Sequence, residues 1–220
     1  MDSSVFFGVS TVAYILAMIA YITYMAFRKP SIGMAATVIT VVGFVMQTAA
    51  FLIRWREFYE LNVRMGIGHG FIERVLRATP LTNLYESLIF FVWALILAYI
   101  VLEFRFRNRS FGAFVTPIAG LALAFIEMSG MSKEIQPLVP ALQSNWLLIH
   151  VFMSFIAYAG FAIAFSTGLM YLITTTDKKT EASYIFWTVT VGVFVSVLAA
   201  MGLDFVKFRV AGVDPEVALE

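Results

Sequence analysis

The feature that most constrains this chain is a series of six apolar stretches separated by polar connectors. A helix needs about 20 mainly apolar residues to cross the hydrocarbon core of a bilayer. Only 13% of the 220 residues are charged, about half the fraction of an ordinary soluble domain. We therefore predict an all-α integral membrane protein, a bundle of about six transmembrane helices forming a single transmembrane domain over residues 1–220. The predicted spans are about 5–27, 33–53, 84–104, 111–128, 146–174 and 184–203.

The positions of lysine and arginine predict which side each connector occupies. Basic residues concentrate in the three short connectors, which predicts that these connectors face the cytoplasm. They are Arg28, Lys29, Arg105, Arg107, Arg109, Lys178 and Lys179. Both termini and the longer loops 54–83 and 129–145 then lie on the outer side, and the first span is retained rather than cleaved as a signal peptide.

Loop 54–83 interleaves apolar with charged residues, and two interpretations stay open. It is either a short amphipathic helix along the membrane surface or a loop packed over its own bundle. The net charge of +1 argues against a nucleic-acid partner. The absence of cysteine excludes disulfides and thiolate metal sites in this chain.

The two histidines, His69 and His150, are the residues best suited to chemistry. His150 opens the fifth span, and Trp146, Ser154 and Tyr158 share its helical face by spacing. Because lipid penalises polar groups, we expect this stripe to point into the bundle or a cavity. His150 is either a haem iron ligand, a common role of neutral imidazole, or a histidine hydrogen-bonded to a neighbouring helix. His69, between Gly68 and Gly70, is interpreted as a solvated loop residue.

The entry to the third span has a structural explanation. Thr82 or Asn83 can cap the helix, and Glu86 lies in its first turn, where a negative charge meets the positive end of the helix dipole. The sequence indicates no charge pair and no broken helix near the middle of the membrane, which argues against a transporter. One histidine in a span argues against a dihaem cytochrome b anchor.

Three segments resemble the CcsA (ResC) family of cytochrome c assembly proteins. Pro80–Ser87 reads PLTNLYES, residues 114–119 read FVTPIA, and Leu138–Val151 reads LVPALQSNWLLIHV. The resemblance runs from about Gly68 to Tyr171. It implies a multi-pass protein of the bacterial inner membrane that works with a ResB-type (CcsB) partner as the system II cytochrome c synthase, a haem lyase.

The resemblance also implies a cofactor-binding site. His150 matches the first of two external histidines that ligate haem iron, so we expect haem b at His150, Trp146, Ser154 and Tyr158, delivered to apocytochrome c. No catalytic residue follows from the resemblance, and none is carried over to His69.

One departure from the family pattern is large. The family's tryptophan-rich haem-binding segment is expected after the sixth span, where residues 201–209 read MGLDFVKFR. This predicts a split system in which a second polypeptide carries the tryptophan-rich segment, or else a truncated or repurposed relative. A haem-free scaffold subunit of the same descent is the alternative function.

Overall fold

The computed structural model describes residues 3–67, 70–135 and 145–175. These residues form α1 (Ser3–Phe27), α2 (Pro30–Arg64), α3 (Phe71–Arg77), α4 (Leu84–Phe106), the 3-10 turn Arg109–Phe111, α5 (Gly112–Met128) and α6 (Asn145–Thr175). The chain divides into two compact units, residues 1–170 and 171–220. The description below concerns the first unit, together with the last turn of α6.

Five of these helices are long and apolar enough to cross a membrane: α1, α2, α4, α5 with its preceding turn, and α6. The prediction of an all-α membrane bundle is confirmed, and no strand occurs among the described residues. The sixth predicted span, 184–203, lies outside them. The placement of the termini and the single-domain organisation stay predictions.

Helix α2 continues well beyond the apolar stretch that predicted it. The apolar run ends at Ile53, whereas the helix ends at Arg64. The extra turns are amphipathic, since Arg54, Phe58 and Asn62, spaced four apart, are all buried. Trp55 Nε1 donates a hydrogen bond to the Val75 carbonyl oxygen (2.9 Å). Much of loop 54–83 is therefore helical, and α3 packs beside the end of α2.

The core combines aromatic rings with a few buried polar groups. Tyr14 Oη donates to Gln47 Oε1 (2.7 Å), and Gln47 Nε2 donates to the Ile89 carbonyl oxygen (3.1 Å). Both side chains are fully buried. A buried amide without partners costs about 1–3 kcal/mol, so these bonds specify how α1, α2 and α4 pack together.

Two helices end on arginines with left-handed backbone. Arg28 follows α1 and Arg107 follows α4, each with φ of 53°, and Arg107 is the C-cap of its helix. Glycine is the ordinary residue for this conformation because a Cβ atom disfavours it. An arginine at either position therefore carries a cost in conformational free energy, which other interactions of the folded protein offset.

Candidate functional site

The predicted stripe on α6 lies on the outside of the structure. Trp146 is 80% exposed and Tyr158 53% exposed; His150 is also exposed, and Ser154 is half-buried. The expectation that this stripe points into the bundle or a cavity is therefore wrong for the described residues. The role of the stripe in binding a cofactor stays a prediction. The imidazole of His150 is exposed on the outer surface of the helix bundle.

The inner face of α6 is formed by other residues. Phe90 of α4 packs against Phe152 (ring centroids 5.1 Å apart) and Phe155 (6.5 Å). Further along the helix, Ala159 and Ser166 are buried. Only 6% of the apolar stretch of α6 is buried, against 33–44% in the other four spanning helices. Because α6 is apolar on nearly all sides, its sequence does not indicate which face packs inward.

An apolar cavity of about 410 Å³ lies on the packed side of α6. Its walls come from α2, α3, the connector before α4, α4 itself and α6, and its volume is in the range of small-molecule pockets. The residues are Thr48, Phe51, Leu52, Trp55, Leu76, Thr79, Pro80, Leu81, Phe90, Trp93, Leu148, Ile149, Phe152 and Met153. Aromatic rings suit a flat macrocycle, but His150 does not line the cavity. The lining residues of this cavity therefore do not by themselves supply a site for a haem ligated by His150.

A buried ion pair stands beside the cavity, at what we call the Glu86 end of the bundle. Arg54 Nε and Nη2 each lie 2.9 Å from Glu86 Oε1, and both side chains are almost fully buried. Arg54 Nη2 also donates to the Lys133 carbonyl oxygen (2.9 Å). One arginine thus joins α2, α4 and the segment after α5.

The PLTNLYES segment supplies the remaining hydrogen bonds around Glu86. Asn83 Oδ1 accepts a hydrogen bond from the Glu86 backbone N–H (2.8 Å), which confirms the predicted helix cap. Glu86 Oε2 accepts from the backbone N–H and hydroxyl of Thr82 (2.8 Å each). Glu86 therefore does more than complement the helix dipole, because it holds the connector that carries Pro80 and Leu81 against the cavity.

Tyr85 lies among the charges of the same network. Its ring centroid is 5.3 Å from the Arg54 guanidinium carbon and 5.9 Å from Lys133 Nζ, distances at which cations attract an aromatic ring. Lys133 is paired with Glu127. The Tyr85 hydroxyl is buried and has no hydrogen-bond partner in the part of the chain that the structure describes.

A second buried carboxylate lies at the opposite, Glu103 end of the bundle. Glu103 accepts hydrogen bonds from Tyr21 Oη (2.7 Å), Thr37 Oγ1 and Tyr99 Oη. Arg109 Nε lies 3.6 Å from its Oε1 atom. Three hydroxyl donors and a cation compensate the desolvation of this charge, and they join α1, α2, α4 and the turn before α5.

Sequence reasoning missed both polar clusters. The Arg54–Glu86 pair lies at one end of the bundle, with Glu86 in the first turn of α4. The two residues are 32 positions apart, and the sequence does not reveal which partner each meets. One signal was available: Glu103 stands inside an apolar run with hydroxyl groups at Tyr21, Thr37 and Tyr99 in predicted spans. An acid in such a place requires buried donors.

Several sequence-predicted features lie outside the described residues. They are His69, most of the LVPALQSNW segment before α6, and residues 201–209, where the tryptophan-rich segment was expected. Among the described residues, no group of three or more acidic, histidine or cysteine side chains can hold a metal ion.

The chain is similar to known proteins over its central and C-terminal parts. Residues 81–189 match the family described as "Cytochrome C assembly protein". "Cytochrome c biogenesis protein CcsA" of Heterosigma akashiwo is 44% identical over 103 residues, 46% of this chain and 32% of that relative. The protein of the same name from Pyropia yezoensis is 32% identical over 170 residues, 74% of this chain and 47% of that relative.

A cyanobacterial relative gives the same result. "Cytochrome c biogenesis protein CcsA" of Microcystis aeruginosa is 36% identical over 104 residues, 46% of this chain and 32% of that relative. The matched part of the chain thus spans a third to a half of the length of these relatives. No solved structure matches.

Proposed function

Because the chain belongs through residues 81–189 to the cytochrome c assembly family, we propose that it is a membrane subunit of cytochrome c maturation. In this proposal it handles haem at the outer face of the bacterial inner membrane, for attachment to apocytochrome c. The observation that carries the proposal is the family match, which includes both α4 with its PLTNLYES entry and α6 with His150.

His150 is the residue proposed to bind haem iron. A neutral imidazole on the exposed face at the start of α6 can bind iron through one nitrogen. Trp146, one turn away on the same face, offers an aromatic surface. Within the described residues no second histidine is available, so the second axial ligand comes from elsewhere.

The exposure of this site supports a shared arrangement with partners. An accessible imidazole beside an exposed tryptophan needs a complementary protein surface to exclude water and lipid. We assign this surface to a ResB/CcsB-type membrane protein and to a second polypeptide carrying a tryptophan-rich segment. Haem b is then cargo, and the chain contributes one ligand to a composite haem lyase.

The test is the absorption spectrum of haem in the purified complex. We expect His150→Ala to weaken or shift the haem bands and to reduce holocytochrome c formation at least tenfold, and exogenous imidazole to restore the spectrum of His150→Gly. His69→Ala is the matched control, since it removes the other histidine of the chain and leaves the iron ligand in place. Unchanged spectra and maturation in His150→Ala would refute the role of His150.

The second candidate function is a haem-free scaffold subunit of the same assembly. The exposure of His150, and its absence from the walls of the 410 Å³ cavity, favour this alternative. Stable copurification with partners but without any tetrapyrrole decides for the scaffold.

A further inference from the structure

The Glu103 end of the bundle carries a group of exposed basic residues, which we call the basic rim: Arg28, Lys29, Arg105 and Arg107. Arg28 and Lys29 connect α1 to α2, and the two arginines close α4. None of the four has an ion-pair partner within ranges 3–67, 70–135 and 145–175.

Contacts beneath the rim bring its two connectors together. Glu103 bonds to Tyr21 near the end of α1 and to Thr37 near the start of α2. Arg109 Nη2 lies 3.6 Å from Met34 Sδ of α2. The four basic residues therefore form one charged surface, and the only carboxylate beneath it, among the described residues, is the buried and fully engaged Glu103.

The opposite end of the bundle contrasts with the rim. There Arg54, Arg56 and Lys133 pair with Glu86, Glu60 and Glu127. These three cations are neutralised by the chain itself, whereas those of the rim have no carboxylate partner among the described residues.

The backbone of the rim supplies an independent observation. Arg28 and Arg107 both adopt φ of 53°, a conformation that favours glycine over a residue with a Cβ atom. Unfavourable conformations that persist at two equivalent helix ends are typical of positions with a function. At both positions the arginine provides a positive charge that a glycine would lack.

We propose that the basic rim binds the phosphate groups of anionic phospholipids in the leaflet that meets the Glu103 end. The four cations lie where the apolar helices end, which is the depth of the headgroups. Clusters of four to eight basic residues directly beside a transmembrane helix are suited to anionic lipid. The exposed apolar side chains of the helices below the rim match the acyl chains of the same molecules.

The test uses the full-length protein in neutral detergent, with its unfolding temperature followed by tryptophan fluorescence. We expect dioctanoyl phosphatidylglycerol to raise the unfolding temperature, and dioctanoyl phosphatidylcholine, with identical acyl chains, to leave it unchanged. The effect of phosphatidylglycerol should decline in 1 M salt, where charges are screened beyond about 3 Å. Equal effects of the two lipids overturn the proposal.

Two double variants locate the site. Arg105→Gln with Arg107→Gln is expected to weaken the apparent affinity for phosphatidylglycerol about 30-fold. The matched control is Arg56→Gln with Arg64→Gln, which removes the same charge from exposed positions at the other end. We expect it to change the apparent affinity for phosphatidylglycerol less than twofold. Equal weakening by both double variants shows a general charge effect and overturns the assignment to the rim.

The left-handed backbone of Arg107 allows a separate test, in which a loss of lipid binding cannot be explained by a loss of stability. Arg107→Gly should raise the unfolding temperature without lipid, because glycine accepts φ of 53°, yet weaken phosphatidylglycerol binding about fivefold. Undiminished binding by Arg107→Gly overturns the role of this arginine.

Two competitors distinguish the sources of negative charge. Inorganic phosphate and a polyglutamate peptide are expected not to displace phosphatidylglycerol at equal charge concentration. Displacement by phosphate would assign the rim to a soluble anion, and displacement by the peptide to an acidic protein partner. Either result overturns the lipid proposal.

Discussion

Glu103 shows at the scale of a single residue how a charge is maintained inside an apolar bundle. Its carboxylate accepts hydrogen bonds from three hydroxyl groups belonging to three helices, and hydrogen bonds to charged groups stabilise by about 1.5–3 kcal/mol each. We expect Glu103→Gln to lower the free energy of unfolding by about 2 kcal/mol and Glu103→Ala by more, measured by thermal or denaturant unfolding in detergent. The control is Glu60→Gln, which removes an exposed ion pair worth about 0–1 kcal/mol. An equal effect of both Gln variants would contradict the importance of this cluster.

Individual residues were predicted from the sequence to different degrees. The cap by Asn83 was predictable because it depends on neighbours three positions away. The orientation of His150 was not, because α6 is apolar around most of its circumference and polarity was the only available guide. Arg54 is 32 positions from Glu86, and Thr37 and Tyr21 are 66 and 82 positions from Glu103. These distant partners follow only from the packing of the helices.

At the scale of the helices, glycines distinguish packed from unpacked surfaces. A Cβ atom at Gly112 of α5 would lie 2.5 Å from the Tyr99 hydroxyl and 2.6 Å from the Tyr21 ring, whereas one at Gly160 of α6 would meet nothing within 4 Å. We expect Gly112→Ala to destabilise the protein by about 1–3 kcal/mol through overpacking. Gly160→Ala, the matched control, should be neutral or stabilising by up to about 1 kcal/mol. Comparable losses in unfolding temperature for the two variants would show that α6 is as tightly packed as α5.

The existence of the helices was more predictable than their limits. Hydropathy located all five described spans, since length and apolar content are what a bilayer requires. It placed the end of the second span at Ile53, although α2 continues to Arg64. The difference arises because α2 beyond Ile53 is stabilised by contacts of one buried face, a property that average hydropathy does not record.

At the scale of the whole molecule, Arg54 joins three parts of the chain through Glu86 and the Lys133 carbonyl oxygen. Removing one partner of a buried ion pair leaves an uncompensated charge and costs about 3–5 kcal/mol. We expect Arg54→Gln and Glu86→Gln each to destabilise by about 3 kcal/mol, and the double variant by clearly less than the sum. A double-mutant cycle of unfolding free energies measures this coupling. Additive losses would mean that the two side chains act independently.

Three tie points between α2 and α4 have a mechanical consequence. Thr37, Gln47 and Arg54 of α2 bond to Glu103, Ile89 and Glu86 of α4, and they extend over about 26 Å of helix. Translation of either helix along its axis, or rotation about that axis, would break all three hydrogen-bonded connections together. We therefore expect α2 and α4 to move as one body. Among the described spanning helices, α6 has the smallest buried share, 6% of its apolar stretch, and we expect it to shift most readily.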